Sequence, residues 1–418
     1  MFELILILLG TPMVRRKWWI VGLTGFLWTA LGLFFVVNAM IPEIRVSPVY
    51  FAIPLGIDGL FSLAGAFGSS DTARRLRLAR AAVELALCVA IVVYPWHGGI
   101  VFGFLIGTVL VADAFWRAST AWLVRYAGWR RSCAFAALEF LFGVWSYVPW
   151  PTNWDGEVGA DVGMLLIVSG LGVCSVALRL RRLMTPGDLV ATVLARDWSD
   201  NARSHAGKQE APPARWTGTV TVHVWTPTGA LVPVRRGVSR YVAAFDEEGR
   251  VSTGHAALEA PGLYISHYPA VEIERDRAQF RKTVRAGDEN DVPGLFQPSY
   301  AAERDDWCAS TLQIRLDGLN EAALACFWDS YSRDTTYNLV DRNCSVAVAR
   351  ALDVGLDGIF SERPLAFLLR LLLVPELWVA GVMRDRAATM AWTPGLVLDY
   401  ARALSHLVDP SHRRDGPR

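Results

Sequence analysis

Tyr337-Asn338-Leu339-Val340-Asp341-Arg342-Asn343-Cys344-Ser345-Val346-Ala347-Val348-Ala349 changes character at a single peptide bond. Polar residues run up to Asn343, and an apolar pattern with helical spacing starts just after it. Asn is a favoured N-cap because its side-chain oxygen accepts from a first-turn backbone N–H. The stretch predicts a helix over 345–353 with Asn343 as its cap and Cys344 at its N-terminus. The unpaired N–H groups and the positive end of the helix dipole favour a thiolate there and lower the thiol pKa. The same N–H groups suit an oxyanion. Cys344 is therefore a candidate nucleophile, with Tyr337 and Asn343 as candidate oxyanion or substrate contacts. The plainer readings are a small buried thiol, a strand aromatic in the core and a simple helix cap.

A nucleophilic thiol needs a base, and the nearest patterned histidines lie upstream. Gly254–His267 reads as two strands around Pro261-Gly262. A three-residue loop over 260–262, with Gly262 at the positive-φ place, sets His255 directly opposite His267. Directly opposed Cβ atoms are about 4.5–5.5 Å apart, so one imidazole can orient the other. A two-residue loop instead puts the rings on opposite faces.

Around these motifs the pattern is strands first and helices later. Strands are expected at Thr217–Trp225, Tyr241–Phe245, Gly254–Glu259, Leu263–Tyr268 and Thr311–Leu316, and helices at Asn320–Tyr331 and 345–353. That order indicates a soluble α+β domain over 217–360. The segment Ala270–Ser310 has no assigned element and reads as a lid or substrate loop. Cys308 and Cys326 lack a helix-start position and read as structural. The breaker-rich stretch 186–216 reads as a linker with a short helix over 188–197. Leu365–Met383 is apolar but broken by Arg370, Pro375 and Glu376. It reads as part of an amphipathic extension, 361–418, whose short helices lie on a membrane or pack on the cysteine domain.

The order His255, His267, Cys344, with twelve positions between the histidines and an Asn-Cys pair opening a helix, resembles the circularly permuted branch of the papain-like NlpC-type fold. That branch includes lecithin:retinol acyltransferase and its phospholipid-acting relatives. Tyr-Asn-Leu-x-x-x-Asn-Cys is also similar to bacterial cysteine acyltransferases that act on lipoproteins. The resemblance implies Cys344 as nucleophile, His255 as base and His267 as orienting residue. After the cysteine, Ser345-Val346 stands where the acyltransferases carry an acidic-His pair, so the substrate stays open.

The first 185 residues differ in kind. Of 418 residues overall, 53% are hydrophobic and 19% charged, and mean hydropathy is +0.29. Such a chain is not disordered, and a fully soluble protein is not expected. The apolar residues concentrate in six candidate spans: about 18–37, 49–67, 78–94, 100–122, 133–148 and 162–180. Thirteen basic residues fall on one side of these spans, in the runs 15–17, 74–80, 125–131 and 179–182, against Arg45 alone on the other. The bias puts both termini, and everything after 182, in the cytoplasm. Leu4–Leu9 is too short to span and reads as an interfacial lead-in. Ile41-Pro42, Tyr94-Pro95-Trp96 and Val148-Pro149-Trp150 recur at the far ends, so the bundle reads as three two-helix repeats. With Trp18-Trp19 and Gly56-Ile57-Asp58-Gly59, this half resembles the HdeD-like acid-resistance membrane proteins. Asp58, Glu84, Asp113 and Glu139 sit inside spans and are expected to face the bundle interior, protonated or hydrogen-bonded. They serve either a proton or ion path or interhelical bonding of a repeat scaffold.

Formal charge is +5 over residues 1–185 and −4 over the rest, for +1 in total. Neither part has the basic excess of a nucleic-acid binder. Six cysteines include no CxxC pair, so neither a zinc site nor a thioredoxin-type motif is indicated, and no metal or cofactor is expected. Three readings follow. One is a membrane-anchored cysteine hydrolase or acyltransferase that forms a thioester on Cys344, with a lipid acyl or a peptidyl carbonyl as substrate and membrane lipids as partners. Another is a non-enzymatic HdeD-like stress-response protein with the cysteine domain as sensor or binding module. The third is a transporter that uses the intramembrane carboxylates.

Overall fold

The computed structural model describes residues 2–41, 46–47, 49–66, 71–93, 98–125, 128–148, 150–152, 154–181, 216–226, 244–245, 251–252, 254–273, 285–361, 375–389 and 391–408. The expected linker up to 215, its helix over 188–197, the residues around Pro95 and the first part of Leu365–Met383 lie outside the described residues.

The chain begins with α1 (Phe2–Leu9) and α2 (Thr11–Arg16). Six longer helices follow: α3 (Trp18–Ala39), α4 (Val49–Ala66), α5 (Asp71–Val93), α6 (Gly98–Val124), α7 (Trp129–Trp145) and α8 (Glu157–Leu180). Next come β1 (Trp216–Trp225), β2 (Ala244–Phe245), β3 (Val251–Ser252), β4 (His255–Ala260), β5 (Leu263–Ile265), β6 (His267–Pro269) and β7 (Val292–Phe296). The remainder is α9 (Tyr300–Asp306), β8 (Leu312–Asn320), α10 (Glu321–Tyr331), β9 (Thr336–Tyr337), α11 (Cys344–Gly355), α12 (Pro375–Thr389) and α13 (Pro394–Val408). These divide into two compact units. One holds 17–118 and 131–178; the other holds 1–16, 119–130 and 179–418.

The helical unit presents apolar side chains outward, as Phe26, Leu33, Phe115 and Leu138 do, each more than half exposed. Among the described residues three helices are long and apolar enough to cross a membrane: Trp18–Ala39, Ile100–Val124 and Glu157–Leu180. Six spans were expected; α4, α5 and α7 form as helices at the other three places. α3 meets α8 at Gly32 and Gly163, where a Cβ on Gly32 would fall 2.5 Å from the Gly163 carbonyl oxygen. Glycine there lets the two backbones touch, the usual device where lipid removes the hydrophobic drive between helices.

The sheet unit is built on a four-stranded antiparallel sheet in the order β5-β4-β1-β8. The alternation in β1 decides its two faces. Val220, Val222 and Val224 are fully buried against α11, α13 and α1, and each such side chain contributes about 1.5–3 kcal/mol. Thr221 and His223 point the other way. The strand expected over 263–268 breaks at Ser266, where the chain leaves this sheet for a second one, β6-β7-β9.

The N-terminal end departs from expectation. Leu4 and Leu8 of α1 belong to the core of the sheet unit rather than to an interface. Ile7 and Leu8 carbonyls accept from Gly358 and Phe360 N–H, and Thr11 donates twice to Asp357. An eight-residue helix apolar nearly all round (FELILILL) buries best inside a protein. A boundary at 185 therefore misplaces residues 1–16. In the C-terminal extension α13 is likewise core, with Val397, Tyr400 and Leu404 fully buried. Asp353 of α11 binds Arg384 of α12 at 2.9 Å and the Tyr400 hydroxyl of α13 at 2.5 Å. The described helices of 361–418 pack on the cysteine domain, the second of the two placements expected.

Candidate functional site

Asn343 caps α11. Its Oδ1 accepts from Val346 N–H at 2.9 Å, and its Nδ2 donates to the Leu339 and Trp392 carbonyls. Its amide is committed to this frame at both ends. Asn338 and Arg342 exchange backbone hydrogen bonds across the preceding loop. The Arg342 guanidinium lies 4.4 Å from the Tyr331 ring centroid and donates to the carbonyls of Tyr331, Thr336 and Asp334. A charged fork bound to three carbonyls holds the loop that presents Cys344 as the first residue of the helix.

His255 is the first residue of β4, and its ring faces the Cys344 thiol closely enough for the two charges to interact. The backbone N–H of Ala256 also favours the thiolate. The ring is stacked on Tyr268, centroids 4.0 Å apart, with Trp225 at 5.3 Å on another side. Its Nε2 lies 2.9 Å from Ser266 Oγ and 3.2 Å from Glu303 Oε1. Nδ1 is thereby the nitrogen left for the thiol.

Glu303 holds the far side of the imidazole. It comes from α9, whose N-cap Ser299 accepts from Ala302 N–H. Its carboxylate also accepts from the hydroxyls of Tyr264 (2.5 Å), Ser266 (2.9 Å) and Tyr268 (2.7 Å). Burial works against its charge, yet the His255 contact and the two tyrosine hydroxyls outweigh burial and hold its pKa down at about 2. For His255, burial disfavours the cation, but the thiolate of Cys344 and then Glu303 push its pKa up to about 9. Burial raises the Cys344 thiol, and the facing His255 more than reverses that, so its pKa falls below the ordinary value. The three groups favour a thiolate–imidazolium pair with a carboxylate behind it. Cys344, His255 and Glu303 are 7%, 3% and 1% exposed.

His267 does not occupy the expected place. Ala260 pairs with Leu263, which leaves a two-residue loop at Pro261-Gly262, with Gly262 at φ 70°. Pro followed by a positive-φ glycine suits a type II turn, and the two-residue loop slips the register by one. The residue that meets the His255 ring is Tyr268. His267 turns to Tyr331, with Nδ1 3.0 Å from its hydroxyl, and its Nε2 lies 3.4 Å from the Thr335 carbonyl. Burial is the main cause that lowers its pKa to about 4, so it is neutral at pH 7. Tyr337 packs edge-on against His267 at 5.1 Å. Glu303 was missed because nothing in Tyr300–Asp306 marks one carboxylate out; its role appears only when α9 closes on β4 and β6.

In the helical unit Asp113 and Glu139 do not simply face the interior. Arg117, one turn along α6, binds both, at 2.8 Å to Asp113 and 3.1 Å to Glu139, and the Asp113 side chain is 47% exposed. Asp58 and Glu84 lie on α4 and α5, with side chains outside the described residues. Among the described residues, no group of three His, Cys, Asp or Glu side chains is placed to hold a metal ion.

No protein-family model matches the chain, and comparison with curated proteins and with solved structures finds no match either.

Proposed function

We propose that the chain is a membrane-anchored thiol enzyme, a six-span HdeD-like bundle joined to a permuted papain-like domain, with both termini cytoplasmic. One observation carries the reading: Cys344, at the first residue of a helix, interacts with the facing His255, whose ring is held from behind by Glu303 at 3.2 Å.

In this reading His255 holds the thiol proton, and the Cys344 thiolate attacks a carbonyl carbon. A C–S bond forms and the carbonyl electrons move to oxygen. The N–H groups that open α11, which have no partners within the helix, are the donors nearest that oxyanion. As the carbonyl reforms, the bond to the leaving amine or alcohol breaks, and His255 passes its proton to that group. A thioester remains. Water or a second acceptor then gives a proton to His255, attacks the thioester and releases the thiolate. The basic bias of the loops supports a cytoplasmic site, which favours lipid acyl groups or membrane-protein amides as substrates. The deep burial of Cys344 favours the competing reading of a non-catalytic binding or sensor module.

A p-nitrophenyl acyl ester incubated with the full chain separates the two. The enzyme reading expects one acyl adduct on Cys344, labile to neutral hydroxylamine and absent from Cys344→Ala. An unmodified Cys344, together with equal nitrophenol release from wild type and Cys344→Ala, overturns it.

A further inference from the structure

Two carboxyl groups lie one helical turn apart at the start of α8. Glu157 and Asp161 are 1% and 0% exposed. Each has one oxygen on a hydroxyl: Glu157 Oε2 on Thr152, and Asp161 Oδ1 on Ser146 at 3.0 Å. The other oxygens, Glu157 Oε1 and Asp161 Oδ2, are buried with no hydrogen-bond partner among the described residues. A Cβ on Gly103 of α6 would fall 3.1 Å from the Glu157 side chain and 2.7 Å from the Ser146 carbonyl. Among the described residues the charged neighbour of Asp161 is Glu157, and no cation pairs with either.

The hydroxyl at Ser146 lies within reach of two acceptors. Its oxygen is 3.1 Å from the Phe142 carbonyl, one turn back on α7, and 3.0 Å from Asp161 Oδ1. A serine has one proton to donate, and an ionised carboxylate only accepts. If Ser146 donates to Phe142, as helical serines commonly do, Asp161 must be the donor in the other contact. Two adjacent ionised carboxylates out of water are also heavily disfavoured. Glu157, in the first turn of α8, has the positive end of the helix beside it.

We propose that Glu157 and Asp161 form a proton-binding site inside the helical unit: Asp161 carries the proton and donates it to Ser146, while Glu157 keeps the negative charge. The ligand is a single proton, taken from water as an O–H bond on Asp161 and returned to water as the pH rises. This site is independent of the thiol chemistry.

The test is infrared difference spectroscopy on the full chain in detergent, titrated with pH in H2O and in D2O. Expected at pH 7 is the carbonyl stretch of a protonated carboxylic acid, shifted in D2O, lost on alkaline titration and lost in Asp161→Asn. Glu157→Gln removes the neighbouring charge and should move the alkaline loss to lower pH. Ser146→Ala should shift the band through loss of its acceptor. Exchanging choline for sodium or potassium should leave the band unchanged. The proposal is overturned if no wild-type carboxylic-acid band responds to Asp161→Asn or Glu157→Gln. It is equally overturned if sodium or potassium abolishes the band, since the seat then takes a metal cation.

Discussion

Replacing Glu303 with glutamine removes one negative charge and keeps a side chain of the same length, so it isolates the carboxylate behind His255. Glu303 holds its charge at a pKa of about 2 against an ordinary 4.5, and His255 is pushed to about 9 from 6.5. The His255 change corresponds to roughly 3 kcal/mol in favour of the imidazolium. The Cys344 thiolate is the larger contributor to it and Glu303 the next. A hydrogen bond to a charged group is worth about 1 kcal/mol more than a neutral one. Glu303→Gln should therefore weaken the imidazolium by on the order of tenfold, which moves titrations by about one pH unit. The assay is the pH dependence of iodoacetamide alkylation at Cys344, read by peptide mass in the full chain. With a weaker imidazolium the thiolate forms less readily, so the acid limb should rise by about one pH unit. Stability follows the same groups. The Glu303 contribution is present above pH 4.5 and is lost as pH falls through about 2. The His255 contribution is full below pH 6.5 and is lost as pH rises through about 9. Glu303→Gln should flatten the acid side of the melting profile. An alkylation profile identical to wild type, with the melting temperature preserved, would refute Glu303 as the group that positions His255.

Three further substitutions probe the same architecture. His267→Ala should leave the pH profile of Cys344 alkylation in place while costing about 1–3 kcal/mol in denaturant unfolding, since it empties a buried site and removes a hydrogen bond to the Tyr331 hydroxyl; a shifted profile would return His267 to the reacting group. Arg384→Ala should destabilise the sheet unit by about 3–5 kcal/mol, because it leaves Asp353 buried without its cation. A melting temperature unchanged in Arg384→Ala contradicts that network. Leu8→Ala, far from Cys344 in sequence, should cost about 2–5 kcal/mol and lower the protease resistance of the sheet unit, whereas an unaltered digestion pattern would mean that α1 is not core.

What could be read from the chain was local. The Asn343-Cys344 helix start follows from cap chemistry and an apolar run, and α11 begins there. The alternation in Thr217–Trp225 gave β1 its two faces. The error at Pro261-Gly262 was one residue of loop length, yet it exchanged His267 for Tyr268 against the His255 ring, because strand side chains alternate with period two. Glu303 and α1 were out of reach for another reason. Their partners lie at large sequence separation, and short periodicity carries no information about tertiary closure. Arg117 lay in plain view within the span 100–122, but only the turn of α6 and its contact with α7 reveal that it binds two acids.

The docking of α1 against the turn that follows α11 has a consequence in time. Residues 2–9 leave the ribosome long before the turn at 357–360 that they bind. At 5–20 residues per second, synthesis of the intervening chain takes on the order of 20–70 s. Throughout that interval an apolar segment waits without its partner while the long helices are made and inserted. The thiol domain is thus closed by the order of synthesis as well as by its contacts. A fragment made without residues 2–16 would be missing a wall that was laid early and used late.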